Sequence, residues 1–382
     1  MVYAFSQGRP MRASEKLMRV YWPVLLVAAA LAAIGTAALY SVAGGSFQPW
    51  AERHAMRFLV AVAVVLAIAM VRTEVWVKAS YPAYMLALVL LVLVPLVGTE
   101  ALGARRWIGF GAVSFQPSEF MKLALVLALA RYYQWLPVEK VSQPKWVALP
   151  LLLIAIPVLL TARQPDLGTA VLFAVVGLSL MFLAGVSTLY FLGGILGAAA
   201  STPLIWSNLH DYQRRRVEIF LDPEKDPLGA GYHITQSKIA LGAGGVSGKG
   251  FMLGTQSQLD FVPEKHTDFI ATIIGEEWGF AGLLLLVALF AVLFSMMLTM
   301  AWRCRNRFGR LLIAGSALTF FVYVFINLAM ITGLVPVVGV PLPLVSYGGT
   351  SMMTLMVGLG LAMSGYVHRD EVIRRDEIGM IW

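Results

Sequence analysis

Cysteine is nearly absent, with Cys304 alone among 382 residues, so no disulfide framework can exist. Charge is scarce as well: 13% of residues are charged, 59% are hydrophobic and the mean hydropathy is +0.77. That balance is too apolar for a soluble domain and fits a polytopic membrane protein. Met1 to Arg19 lacks the apolar core of a cleavable signal peptide, and the first apolar run is long enough to span. Basic residues outnumber acidic ones, 29 to 21, for a net charge of +8. A nucleic-acid partner would need that charge gathered on one surface. Most of it instead lies in short segments beside apolar runs, where it sets orientation and meets anionic membrane lipid.

Apolar runs predict ten spans, roughly 20–40, 55–71, 79–97, 119–131, 146–161, 168–184, 188–205, 268–301 with a break near Gly279, 311–331 and 351–367. The expected fold is an all-α polytopic integral membrane protein of about ten transmembrane helices. It forms one domain over 1–382, with a large extracytoplasmic loop, 206–267, between helices 7 and 8 and a cytoplasmic tail, 368–382. An even number of spans puts both termini on one side. The loops there hold sixteen basic residues against six in the short segments opposite, which makes the termini cytoplasmic. The long loop then faces outward. Seven basic residues meet eight acidic ones in it, counting Asp268, so it is no nucleic-acid surface.

Carboxylates concentrate in one place. Gln256 to Glu277 holds Asp260, Glu264, Asp268, Glu276 and Glu277, together with His266, where the loop runs back into an apolar span. Asp268 directly precedes Phe269-Ile270-Ala271-Thr272-Ile273-Ile274. A carboxylate at a membrane helix mouth is costly without a partner, a metal or a wet cavity, which makes it a functional candidate. The plainer reading is a solvated helix start, with Thr267 as N-cap and Asp268 favourable to the dipole.

Other polar clusters fall on the same side. Arg105 and Arg106 precede Ser118-Glu119-Phe120-Met121-Lys122, where Glu119 and Lys122 share a helix face at i and i+3. They read either as a snorkelling ion pair at the interface or as a charged vestibule for an anionic headgroup. Arg163-Gln164-Pro165-Asp166-Leu167-Gly168 breaks the helix between two spans, and is either a structural ion pair or a cavity lining. Gly242 to Gly250 resembles a phosphate loop around Lys249. It fails the Walker pattern at Ala243 and Gly250, so a flexible glycine hinge is the expectation. Gly333 to Ser351 carries no charge, and its prolines and glycines predict a re-entrant segment with a fixed backbone.

Several of these stretches together resemble one family. RRWIGFGAVSFQPSEFMK, RQPDLGTA, DYQRRRVEIFLDPEKDPLGAGYHITQSKIALGAGG, GTQSQLDFVPEKHTDF and GLVPVVGVPLPLVSYGGTSMM are similar to motifs of the SEDS proteins (shape, elongation, division and sporulation), in their elongation branch. The resemblance covers nearly the whole chain past the first span. It implies a peptidoglycan glycosyltransferase that joins the sugars of lipid II, an undecaprenyl-pyrophosphate-linked disaccharide-pentapeptide, into β-1,4 glycan on the outer face of the cytoplasmic membrane. It also implies that Asp268 is the essential aspartate and that Arg105, Glu119, Lys122, Asp166 and Gln213 belong to a polar cavity. Arg106, Arg163, Lys249, Glu264 and His266 join that substrate-binding set by position. A divalent cation, Mg or Mn, held by Asp268 rests on the resemblance alone, since no DxD-type motif is present. So does a class B penicillin-binding protein as the cross-linking partner, because the chain has no SxxK with SxN and KTG. A lipid II flippase would need the same cavity, yet no internal repeat links 1–190 with 191–382. A scaffold without activity is the third reading, and it would make Asp268 dispensable.

Overall fold

The computed structural model describes residues 11–373, apart from 102–103, 111–112, 209–210, 223–225, 227–228 and 259–263. Helices dominate. A short α1 (Ala13–Arg19) lies before α2 (Trp22–Val42), α3 (Ala51–Ala69), α4 (Thr73–Val97), α5 (Pro117–Trp135), α6 (Pro144–Arg163), α7 (Leu167–Leu183) and α8 (Thr188–Ala200). The loop region adds α9 (Thr202–Asn208), α10 (Asp211–Leu221), α11 (Ala230–Ala243) and α12 (Thr255–Gln258). The chain returns through α13 (Ile270–Arg303), α14 (Arg307–Ile331) and α15 (Gly349–Val367).

Every segment expected to span is helical. Six of the helices (α2, α4, α6, α13, α14 and α15) are long and apolar enough to cross a membrane, while α7 and α8 are shorter apolar helices. The other two, α3 and α5, carry charges in their first two turns: Glu52 and Arg53 with Arg57, and Glu119 with Lys122. The boundaries shift modestly from expectation. The eighth expected span begins at Ile270 rather than at 268, which leaves Asp268 in the turn before it. The break near Gly279 is present, with φ of 67° there.

Packing sorts the helices. α14 and α15 are mostly buried, whereas α4, α6 and α13 keep most of their apolar surface outward. α14 touches α5, α7, α11, α13 and α15, and α3 runs along α15. The core mixes aliphatic and aromatic side chains, with Leu125, Leu129, Leu172, Leu180, Tyr133 and Phe308 fully buried. α8 stands apart from it, with no buried residue.

One feature was not legible as helix or loop. β1 (Thr99–Ala101), β2 (Ala104–Phe110) and β3 (Val113–Phe115) form a small antiparallel sheet in the order β1-β2-β3, between α4 and α5. Arg105, Arg106 and Trp107 therefore sit on a strand, where successive side chains point to opposite faces.

The glycine-rich 242–250 stretch is not a free hinge. Lys249 and Gly250 donate main-chain bonds to the Glu276 and Glu277 carbonyls, and Phe280 and Ala281 donate to Gly245 and Val246. Gly248 and Gly279 meet backbone to backbone at this crossing, where a Cβ on either would collide. A loop and a helix break thus satisfy each other's orphaned groups, as irregular backbone at membrane depth requires.

Candidate active site

Asp268 closes a tight turn. Glu264 has φ of 53°, and its carbonyl accepts bonds from the Thr267 and Phe269 amides at 3.0 and 3.4 Å. Thr267 Oγ1 returns to the Glu264 carboxylate at 3.0 Å. The N-cap of α13 is Phe269, with no side-chain capping bond. Neither Thr267 nor Asp268 caps the helix, so the plainer reading of Asp268 is not the one adopted.

The Asp268 side chain is half-buried, and among the described residues no side chain is bonded to its carboxylate. Burial pushes this carboxyl up to about 6, and repulsion from Glu264 adds to the shift. Its main chain is held firmly: Asn327 Nδ2 donates to the Asp268 carbonyl at 2.8 Å. The non-helical 334–348 segment between α14 and α15 approaches closely, since a Cβ on Gly339 would stand 3.3 Å from Asp268 Oδ2. Gly339 also has φ of 70°, so a side chain there is disfavoured twice.

Next to this turn, aromatic rings build a wall. His266 stacks on Trp50 at 4.8 Å, and its carbonyl accepts a bond from the Tyr347 amide at 2.9 Å. Burial lowers the His266 pKa, opposed by Glu264, so the ring is neutral at pH 7. Tyr347 in turn lies under the Arg57 guanidinium at 4.8 Å. A cavity of about 920 Å³ opens here, lined by Arg53, Arg57, Trp107, Phe115, Tyr347 and Thr350. Val60, Leu123 and Val357 continue its wall as apolar surface away from the two arginines. The arrangement suits a ligand with an anionic head and an apolar tail, and the Tyr347–His266 bond ties its wall to the turn that carries Asp268.

The remaining candidates fall into two groups. Glu119 and Lys122 meet as their spacing implies, with Nζ to Oε1 at 2.6 Å. They do not snorkel and do not face the cavity. Both are buried, and Tyr323 of α14 closes them off, its hydroxyl donating to Glu119 at 3.0 Å while Lys122 bonds that same oxygen. Phe120 and Leu123 of the same helix line the cavity in their place. Asp166 is buried as the N-cap of α7, accepting from the Thr169 amide at 3.3 Å. Of the two readings of this break, the Arg163–Asp166 ion pair is absent among the described residues, and Arg163 is exposed. Arg106 reaches this turn, donating to the Pro165 carbonyl, and Arg105 donates to Pro95 at 3.4 Å.

Lys249 is committed elsewhere. It donates to Glu276 at 2.8 Å and to Thr255 at 2.7 Å, so it serves a buried carboxylate rather than a phosphate. Gln213 lies on α10, and its side chain falls outside the described residues, as does Asp260. Arg53, Arg57, Trp107, Tyr347 and Asn327 were missed by sequence reasoning. The two arginines counted only toward orientation, though their i, i+4 spacing gives them one helix face.

No three His, Cys, Asp or Glu side chains converge as a metal site among the described residues. Asp268 and Glu264 suit, at most, an ion that arrives with substrate phosphates, the way magnesium is usually held.

Fold and site together define a polytopic membrane protein with a cavity lined by two arginines and, in a neighbouring turn, a carboxylate without a side-chain partner. The profile of the FTSW_RODA_SPOVE family, described as "Cell cycle protein", matches residues 18–371. The chain belongs to this family. It is 44% identical over 349 residues to the peptidoglycan glycosyltransferase MrdB of Escherichia coli K12, covering 91% of this chain and 93% of the relative. It is 34% identical over 352 residues to a probable peptidoglycan glycosyltransferase FtsW of Trichlorobacter lovleyi, covering 89% and 91%. Among solved structures, a chain of a peptidoglycan synthase complex, studied for its coordination of polymerization and crosslinking, superposes with a TM-score of 0.81. That chain is 32% identical, with 92% and 99% of the two chains covered. The rod shape determining protein RodA of Thermus thermophilus superposes with a TM-score of 0.70 at 27% identity, covering 92% and 98%.

Proposed function

We infer that the chain is a peptidoglycan glycosyltransferase of the inner membrane, that lipid II is its substrate, and that Asp268 is its general base. The observation that carries the assignment of Asp268 is its unbonded carboxylate in the turn before α13, a turn that His266 ties to Tyr347 of the arginine-lined cavity wall. The acceptor sugar's 4-hydroxyl attacks the donor's anomeric carbon. The new C–O bond forms as the bond from that carbon to the pyrophosphate oxygen breaks. Asp268 takes the hydroxyl proton, and undecaprenyl pyrophosphate leaves.

Arg53 and Arg57 supply positive charge where the departing pyrophosphate gathers negative charge. The apolar wall beyond them accepts a prenyl chain. The reaction joins two lipid-linked sugars, and a second crevice of about 570 Å³ lies on the other face of α3, lined by Ala33, Tyr40, Phe47, Ala55, Leu59 and Phe251. If Asp268 also holds a divalent cation, the ion would add Lewis-acid assistance to the pyrophosphate. The site faces the periplasm and both termini the cytoplasm, by the asymmetry of basic residues.

A class B penicillin-binding protein is the proposed partner. A crevice of about 210 Å³ between α13 and α14, with Phe290, Phe294, Phe320 and Phe321 in its walls, suits a single partner helix at the outward face of the bundle.

The test is full-length protein in vesicles, given lipid II with the partner present. Glycan polymer that disappears in Asp268→Asn is the expected result. Headgroup translocation without polymer would replace the enzyme with a flippase.

A further inference from the structure

The carboxylate of Asp268 has no side chain to aim it, so its position is set by its own backbone and by whatever fixes that backbone. One group does so from the centre of the bundle. Asn327 sits on α14, fully buried, and its side-chain amide has two hydrogens and two carbonyl neighbours. It donates to the Asp268 carbonyl at 2.8 Å and to the Val340 carbonyl at 2.7 Å. The orientation follows from the neighbours, because a flipped amide would set its oxygen against two acceptors.

The two carbonyls belong to two segments whose other main-chain tie among the described residues is the Tyr347 amide on the His266 carbonyl at 2.9 Å. Asp268 ends the turn before α13, and Val340 belongs to the 334–348 segment, whose Gly339 faces Asp268 Oδ2. Asn327 Oδ1 is buried without a partner, so the side chain gives up one bond to make the other two. A residue kept only for packing would be apolar here, as Tyr323, Ile326, Met330 and Ile331 around it are largely apolar and buried.

We propose that Asn327 is a positioning residue for the glycosyl transfer: its two N–H groups fix the spacing between the Asp268 turn and the 334–348 segment, and thereby the aim of the carboxylate. The inference rests on the reading of Asp268 as the base. α14 is suited to the task because it is among the most buried helices and contacts the helices on either side of the cavity. Small misplacements of a catalytic group are expensive, a shift on the order of 1 Å costing about 100-fold in rate.

The test compares Asn327→Ser, which keeps one donor, with Ser237→Ala in full-length protein reconstituted with lipid II and its partner. Ser237 is a matched control: it is a buried tie that bonds Thr272 at 2.8 Å and the Ile331 carbonyl at 2.9 Å without touching the site. Both changes lower the melting temperature. In Asn327→Ser, kcat per folded molecule is expected to fall about 10- to 100-fold with KM within about twofold, whereas Ser237→Ala keeps its kcat. Equal kcat in the two variants, or a change in KM alone, would overturn the proposal. If Asn327→Ser does not fold, Asn327→Gln, which retains both donors on a longer arm, decides by the same kcat criterion. Asp268→Asn is run alongside. Activity in that variant overturns the reading of Asp268 itself, while a dead Asp268→Asn beside a fully active Asn327→Ser removes only the role of Asn327.

Discussion

Asp268 and Glu276 lie eight residues apart at the start of one helix, and the protein treats them in opposite ways. Glu276 is completely buried and saturated: Lys249, Thr255 and the Gln256 amide all bond the same oxygen, at 2.8, 3.2 and 3.0 Å. Glu277 beside it is buried too, and takes the Ser41 hydroxyl. Asp268 is less buried and has none of this. A carboxylate that is deep and fully bonded holds structure, because its bonds repay its desolvation. One that is recessed and left open keeps a lone pair for chemistry. Burial alone would have ranked Glu276 first; the count of bonds reverses the order.

The largest test of that contrast is on the open carboxylate. Asp268→Asn should cut polymerisation by at least about 100-fold, the usual scale for losing a general base. The fold should survive. At pH 7 the variant should melt no lower than the wild type, and the sign follows from linkage. Asp268's folded pKa is raised, so the stability it contributes is full below its unfolded pKa and is lost as pH rises through about 6. Asparagine removes that loss. Melting curves at pH 5 and pH 7 check it, and a variant that melts lower at both would mark Asp268 as structural.

The opposite outcome is expected at the saturated carboxylate. Lys249→Met strands Glu276 without its cation and should cost about 2–4 kcal/mol of stability, somewhat less than a fully buried pair because Lys249 is partly exposed. Activity per folded molecule should persist. Normal melting with a raised KM for lipid II would instead return Lys249 to the substrate.

Much of this division was written in the sequence. The break at Gly279, the outlying Asp268 and the i, i+3 pair of Glu119 and Lys122 are local signals, and local signals survive folding. The rest depends on distant partners. Lys249 was placed with the substrate-binding residues because Glu276, 27 residues on, comes beside it only when the glycine loop locks onto the helix break. Glu119 and Lys122 read as cavity lining because Tyr323, about two hundred residues away, was one more aromatic in an apolar span. Arg53 and Arg57 counted only toward orientation, because Tyr347 and the start of α15, Gly349 and Thr350, come across from them only in the fold. Asn327 carries no local signal beyond being an amide in a hydrophobic run. The strands of 99–115 were hidden among turn residues, and each of the outer two is only three residues long.

The buried Glu119–Lys122–Tyr323 group extends the contrast to a second helix pair. Removing either charge leaves the other uncompensated in the core, so Glu119→Ala and Lys122→Ala should each cost more stability than the double variant. The coupling should be about 1–3 kcal/mol in a double-mutant cycle. Additive losses would mean that the two charges do not act as a unit, and would place them with the exposed Arg163 rather than with Glu276.

The finest test sharpens what makes Asp268 reactive. Acting as a base, it must be ionised, so activity should rise with pH through an acidic limb near 6 and level off above it. Two causes raise that value, burial first and the Glu264 charge second. Glu264 is exposed and bonds Thr267, so its charge can be removed while the turn keeps its shape. In Glu264→Gln the neighbouring repulsion disappears, ionised Asp268 becomes easier to form, and the limb should move to lower pH. The displacement should be less than the whole distance back to an ordinary carboxylate, because burial persists. His266 is a second titrating group in this turn; burial pushes it downward, and losing Glu264 lowers it further. Both groups therefore shift the same way, and the histidine must be separated out. His266→Gln keeps a flat polar group against Trp50 and removes the competing titration. An acidic limb that persists in His266→Gln and still moves down when Glu264→Gln is added assigns it to Asp268. A limb that vanishes with the imidazole would transfer the titration to His266 and leave Asp268 ionised throughout.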